Sequence, residues 1–312
     1  MATADVVTTV TATAAVPATV PTAVPRRRRG RRRPVVLEAF TWLYLAWSIL
    51  PIAIAVLFSF NSGKSQSTQQ GFSTRWYTGN FNGSVLHSTA LHDALVQTLR
   101  LGVIVTLITV PLGVAFAVGI DRWRSRTSNG INLVMVFSFV VPELLLAVAL
   151  VFFFQQLFTS IHLGTEAEVA ALVVWNLSWP AVIVRARLAS IGYSYEEAAA
   201  DLGASTLSAV RRVLLPLLSP AIFASAVLVF AGVIDDFVIV QQLSSSAATQ
   251  PVSVLIYSQA HGGLNGPALN ALATIILALS LVVAVVGYLA YRVMTRGERG
   301  GQSNAIESIA GL

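Results

Sequence analysis

Six apolar segments, near residues 37–60, 95–120, 131–157, 169–189, 214–238 and 269–293, punctuate this chain of 312 residues. An α-helix needs roughly 20 apolar residues to cross a bilayer, and each segment meets or approaches that length. The expected fold is an all-α membrane protein with six transmembrane helices. The fourth segment is interrupted by Trp175, Asn176, Trp179 and Pro180. Composition agrees: 55% of residues are apolar and only 11% charged, with a mean hydropathy of +0.72. A soluble domain carries about 25% charged residues. With no cysteine, disulfides, iron–sulfur clusters and thiolate metal sites are excluded. The histidines at 87, 92, 162 and 261 are scattered and form no metal-ligand spacing.

The positive charge is unevenly placed. With the N-terminus on the cytoplasmic side, the inner segments hold seven arginines in Arg26–Arg33 and three in "DRWRSR". They also hold Arg185, Arg187, Arg211 and Arg212, and Arg292, Arg296 and Arg299. Only Lys64, Arg75 and Arg100 fall outside. This asymmetry is the positive-inside pattern and makes both termini cytoplasmic. The arginine run directly precedes the first apolar segment, so it reads as an orientation signal rather than a nucleic-acid contact. Residues 1–25 show no structural period, and residues 1–34 are expected to be a disordered basic tail. The following apolar segment is too long for a signal-peptide core.

"NSGKS", Asn61–Ser65, imitates the end of a phosphate-binding loop. Phe58 stands where that motif needs its first glycine, and the strand–loop–helix context is missing. The inner stretch from Glu196 to Ile222 is more informative. It carries Glu196, Glu197, Asp201, Arg211 and Arg212 between two apolar segments. Ser194 followed by Glu197 has the spacing of a capping box. Ala198, Ala199 and Ala200 favour a helix, and Gly203 can end it. Ser205 can cap a second short helix, and Pro216 suits the first turn of the next span. By itself this is either a helical cytoplasmic loop or a docking knob.

"EAAADLGASTLSAVRRVLLP" resembles the EAA motif of the membrane subunits of bacterial ABC importers. Glu197, Ala198, Ala199, Gly203, Leu215 and Pro216 match its fixed positions, with Val213 in place of the usual isoleucine. "FSFNSGKS", "GFSTRWY", "VPELLLAVALVFFF", "IDDFVIV" and "NALATIILALSLV" further resemble the permease subunits of spermidine/putrescine importers. The resemblance covers residues from about 40 to 293. It implies a type I importer-like permease domain over 35–298, with 299–312 a cytoplasmic tail. It also implies a coupling helix between spans four and five, with Glu197, Ala198, Ala199, Asp201, Leu202 and Gly203 docking on a cytoplasmic ATPase dimer. Further expected partners are a second permease subunit, the same chain or a sister, and an extracytoplasmic binding protein. No cofactor is expected on this chain; ATP and Mg²⁺ belong to the ATPase.

Glu143 lies about halfway along the third segment, where an ionisable residue is a functional candidate. Pro142 before it predicts a bend. The residue is either a substrate contact or a carboxyl bonded to a neighbouring helix. Asp235 and Asp236 are expected near the outer end of the fifth span, where a helix C-terminus disfavours them. Either a cationic substrate offsets that, or exposure to water screens it. Trp175 and Trp179 could line a cation's path through their ring faces, or serve packing and the interface belt. An enzyme would show clustered nucleophile or metal-ligand residues. An ion-coupled carrier would show several mid-membrane acids or an inverted repeat. None of these patterns is present. The reading is an ATP-driven importer permease for polyamines or another small solute, in the bacterial cytoplasmic membrane.

Overall fold

The computed structural model describes residues 35–65, 67–122, 130, 133, 135, 137–262 and 266–310. The tail, its arginine run, and Arg124 and Arg126 lie outside the described residues. The chain divides into two compact units, Met1–Ile49 and Leu50–Leu312. The described part of the first is the beginning of α1 (Val35–Ser59), whose large apolar side chains, Trp42 and Trp47 among them, are exposed.

The second unit is helical. After the end of α1 come α2 (Arg75–Thr78) and α3 (Thr89–Arg122), then α4 (Glu143–Phe152), which ends in a π-helical turn, Phe153–Leu157. Next are α5 (Thr165–Asn176), α6 (Ser178–Ile191), α7 (Ser194–Asp201) and α8 (Thr206–Ala209). A second π-helical turn, Val210–Leu214, leads into α9 (Leu215–Asp235). The remaining helices are α10 (Val238–Leu243), α11 (Val252–Gly262) and α12 (Gly266–Ala310). Among the described residues, five helices are long and apolar enough to cross a membrane: Val35–Ser59, Thr89–Arg122, Thr165–Ile191, Thr206–Asp235 and Gly266–Val293.

The third expected span departs from the sequence reading. Residues 137 and 138 are helical, but Phe139–Pro142 turn out of the helix. Pro142 has an extended backbone, φ −61° and ψ 128°, and stands at the N-cap of α4. Proline supplies no N–H and clashes with the preceding turn, so the chain breaks there rather than bends. Glu143 is thus the first residue of a short apolar helix, Glu143–Leu157, and not the middle of a long one. The second span begins at Thr89, so Arg100, counted among the outer charges, lies three turns inside it and is exposed. The tryptophans of the fourth span do not break it; only Leu177, at a helical φ of −58°, separates α5 from α6.

In hydrocarbon, apolar contact alone does not drive helices together, so close packing and polar ties must. α3 is the central element and packs against α5, α6 and α9. Its buried positions Leu91, Ala94, Thr98, Leu101 and Val105 recur at three- and four-residue steps, one face of a helix. At Gly113 a Cβ would lie 2.4 Å from Cγ of Pro180, so α6 approaches here as only glycine permits. Gln97 on α3 donates from Nε2 to Oε2 of Glu168 (2.8 Å) and to Oγ1 of Thr165 (2.9 Å) on α5. The main core gathers Leu101, Val105, Leu172, Leu188, Leu214 and Leu218. A second cluster, including Trp76, Leu91, Leu255 and Leu272, lies toward the start of α3.

The segment that imitates a phosphate-binding loop is a folded cap. Asn61 is buried; its amide donates to the carbonyls of Ser65 and Thr68, each at 3.0 Å. Its Oδ1 accepts the N–H groups of Gly63 (3.3 Å) and Gln70 (2.8 Å). The Trp76 indole N–H donates to the Asn61 carbonyl at 2.6 Å. Lys64 is exposed, and the next helix begins only at Arg75.

Candidate functional site

Two constellations stand out: the exposed α7–α8 turn and an acidic pair where two helices break.

The α7–α8 helix–turn–helix forms largely as its local sequence suggests. Gly203 has φ +81°, a conformation costly for residues with a Cβ, and it ends α7. Ser205 caps α8 by accepting the Ser208 N–H at 3.4 Å. Pro216 lies at the start of α9. The expected capping box is absent. Tyr193 is the N-cap of α7 and Ser194 already its first helical residue, without a side-chain cap bond. The helix starts one residue early because the chain leaves α6 through Gly192, φ +71°, and turns immediately. No residue of α7 is buried. Glu197, Ala198, Asp201 and Gly203 are exposed and Ala199 is half-buried. Leu202 is 90% and Leu207 77% exposed, an apolar pair beside acidic residues on the α7–α8 turn.

The acidic pair corrects the sequence reading. Asp235, the last residue of α9, is exposed. Asp236 is buried and does not oppose a helix C-terminus. The backbone extends at Asp236 (φ −61°, ψ 130°), and its Oδ1 accepts the N–H groups of Ile239 (3.1 Å) and Val240 (3.4 Å). The carboxylate therefore caps the N-terminus of α10, where the helix dipole favours it. α10 packs on α4, whose first residue is Glu143. The Asp236 and Glu143 carboxyl groups lie close enough to interact with each other. Residues nearly a hundred positions apart are joined because both helices are discontinuous. Irregular backbone at membrane depth is tolerated where protein buries it or where it lines a cavity.

Beside this pair, the Phe237 and Tyr257 rings stack obliquely at 4.8 Å, with Tyr257 half exposed. Ser253 donates to the Asp236 carbonyl at 2.7 Å, tying α11 to the break. Trp179 is exposed and meets Phe139, in the break before α4, edge to face at 5.1 Å. Trp175 packs against the main core.

Sequence reasoning missed Tyr257, Glu168 and Arg122. Glu168 was hidden because the fourth span was expected to start at 169, whereas the helix begins at Thr165. Arg122 was counted only as an orientation charge. It is 16% exposed, and its ring of contacts joins α3 to the α6–α7 corner.

The description "Binding-protein-dependent transport system inner membrane component" matches residues 109–300. The putrescine transport system permease protein PotI of Escherichia coli (strain K12) is 33% identical over 272 residues, 85% of this chain and 91% of that protein. The spermidine/putrescine transport system permease protein PotC of the same strain is 32% identical, over 82% of this chain and 93% of that protein. Among solved structures, a bacterial ABC transporter that imports the acidic polysaccharide alginate aligns with a TM-score of 0.69 at 16% identity. That alignment covers 85% of this chain and 97% of the other. The MetNI methionine ABC transporter, in an inward-facing conformation, aligns with a TM-score of 0.52 at 22% identity, over 66% and 94%. The fold is that of an ABC transporter membrane subunit, and the chain belongs to the family of inner membrane components of binding-protein-dependent transport systems.

Proposed function

We propose that this chain is the pore-forming permease subunit of an ATP-driven polyamine importer. The observation that carries the substrate class is the Asp236–Glu143 pair at two helix breaks, with the Phe237 and Tyr257 rings beside it. Paired carboxylates and an aromatic face are the chemistry that recognises an extended polyammonium ion. The naming of two relatives for putrescine and spermidine supports the same class. Broken helices allow the acids to face a path through the bundle while their backbones stay satisfied. Glu143, Asp235 and Asp236 are its candidate contacts; Trp179 borders the break, and Trp175 has mainly a packing role.

The motor would act from the other side. Leu202 and Leu207, exposed beyond the α7 end, with Glu197, Ala198, Ala199, Asp201 and Gly203 around them, form the surface that docks on a separate ATPase dimer, which holds ATP and Mg²⁺. Pro216 starts the span that receives the motion. The charge asymmetry of the sequence supports placing this surface and both termini in the cytoplasm. A second permease subunit completes the pore, and an extracytoplasmic binding protein delivers the substrate.

The test is uptake of labelled spermidine and putrescine by cells lacking their own importers. They would express this chain with its neighbouring subunits. Uptake that is abolished by Gly203→Asp and strongly reduced by Asp236→Asn, with both variants in the membrane, is the expected result. An assembled complex that hydrolyses ATP yet takes up neither polyamine would reject the substrate class and keep the importer.

A further inference from the structure

The α7–α8 element is weakly seated. A cavity of about 440 Å³, lined by Val118, Gly119, Arg122, Glu196, Ala200 and Ala204, separates it from the end of α3. α7 packs on α8 and on the π-helical turn that follows, and through them reaches α9. Its covalent link to α6 passes through Gly192, which has φ +71° and open space around the position of a Cβ. No side chain at this residue stiffens the turn. A push on α7 reaches α9, and through it the packed α3 and α6; the direct route from α7 to α6 and the end of α3 passes the Gly192 corner and is stiff only if something fixes that corner.

Arg122, the last residue of α3, bridges it. Its Nε–H points between the two Glu196 oxygens, at 3.0 Å from Oε1 and 2.9 Å from Oε2. One Nη donates to the Gly192 carbonyl at 3.0 Å, and the other pairs with Asp121. The guanidinium lies over the Tyr193 ring, 4.3 Å from its centroid, and the Tyr193 hydroxyl donates to the Asp121 carbonyl at 3.1 Å. One side chain thus holds the C-terminal carbonyl of α6, the first turn of α7 and the end of α3. Both helix ends are electrostatically suited: a cation at the C-terminus of α6, an acid at the N-terminus of α7. A planar guanidinium spreads its donors over three nitrogens and so reaches acceptors on three elements; a lysine ammonium also has three donors, but they radiate from one point and do not match that fork.

We propose that Arg122 is the positioning residue that locks the Gly192 corner, so that displacement of the docking element is delivered to α3 and α6 together with α9. This rests on the reading of α7–α8 as the ATPase-docking element. The lock adds a direct route to α3 and α6 beside the one through α9, and its loss lets the motor turn over with less of its displacement delivered to the pore.

The experiment uses the complete importer, with both permease subunits, ATPase and binding protein, in proteoliposomes. Three quantities are read: ATPase retained through purification, ATP hydrolysed, and labelled polyamine imported per ATP. Arg122→Gln is expected to keep the ATPase bound and hydrolysing while import per ATP falls about tenfold, within the range of ordinary coupling between linked sites. Arg122→Lys is expected to fall with it. Glu196→Gln, which keeps the Gly192 and Tyr193 contacts, is expected to lose less, and it carries the test if Arg122→Gln does not assemble. Import per ATP equal to wild type in either assembled variant overturns the proposal, as does a loss of hydrolysis and import in strict proportion. Leu202→Asp separates the two readings. Loss of the ATPase from that variant upholds the docking surface, and its retention rejects that surface whatever Arg122 does.

Discussion

Asp236 does two jobs that substitution can separate. Its oxygen caps α10, and its carboxyl group faces that of Glu143. Asparagine is as good an N-cap as aspartate. Asp236→Asn should therefore leave thermal stability near wild type while polyamine uptake falls. A hydrogen bond to a charged group is worth about 1.5–3 kcal/mol, so the fall should be roughly tenfold or more. Asp236→Ala should lose the cap as well, at a further cost of about 1 kcal/mol, visible as a lower melting temperature of the detergent-solubilised complex. Equal melting temperatures for the two variants would remove the capping role. Equal uptake by wild type and Asp236→Asn would remove the charge from the substrate path. Glu143→Gln should resemble Asp236→Asn in uptake without its own capping cost, since Glu143 makes no cap bond.

Between helices, small residues set the distances. Gly113→Leu on α3 would drive a side chain into Pro180 and toward the Ala181 backbone N, whose distance from a Cβ is 3.2 Å. Overpacking of this kind costs typically about 1–3 kcal/mol. The expected outcome is a lower yield of assembled complex, and Gly113→Ala should show a smaller version of the same loss. Gly203 differs, because nothing surrounds its Cβ position and only its backbone conformation is at stake. Gly203→Ala should cost about 1–2 kcal/mol through left-handed strain, and Gly203→Asn less. Circular dichroism cannot isolate so local a change; hydrogen exchange of the α7 amides can.

These elements also show what the sequence reveals and what it withholds. Five of the six expected span positions, the α7–α8 turn at Gly203 and the Ser205 cap follow from local chemistry, so they are legible. The break at Phe139–Pro142 is legible only as a bend, because proline announces a disturbance without saying whether neighbours will hold the freed backbone. The acidic pair is legible as two separate acids. Their meeting depends on α10 folding back on α4, a long-range contact with no local signal. Asp236 was expected to oppose one helix end, but the chain breaks at that residue and gives it the start of the next. Arg122 was read as a count of charge because its partners, Gly192 and Glu196, are about seventy residues away.

At the scale of the molecule, the orientation is the property on which every functional assignment depends. If the chain ran the other way, the α7–α8 surface would face away from ATP. The absence of cysteine offers a direct test, since single cysteines can be introduced without a background thiol. Lys64, in the cap after α1, and Leu207, at the start of α8, are both exposed and should lie on opposite sides of the bilayer. The concentration of positive charge beside α7–α8 and both termini predicts that side as cytoplasmic. Lys64→Cys should then react with a membrane-impermeant maleimide in intact spheroplasts, whereas Leu207→Cys should react only after permeabilisation. The reverse pattern would overturn the docking surface and the direction of transport together. Labelling of both sites in intact spheroplasts would indicate a chain that has not inserted. With the expected pattern, adding the ATPase subunit should protect Leu207→Cys from the reagent and leave Lys64→Cys unchanged. The experiment would then connect the orientation of the whole chain to the surface through which it is driven.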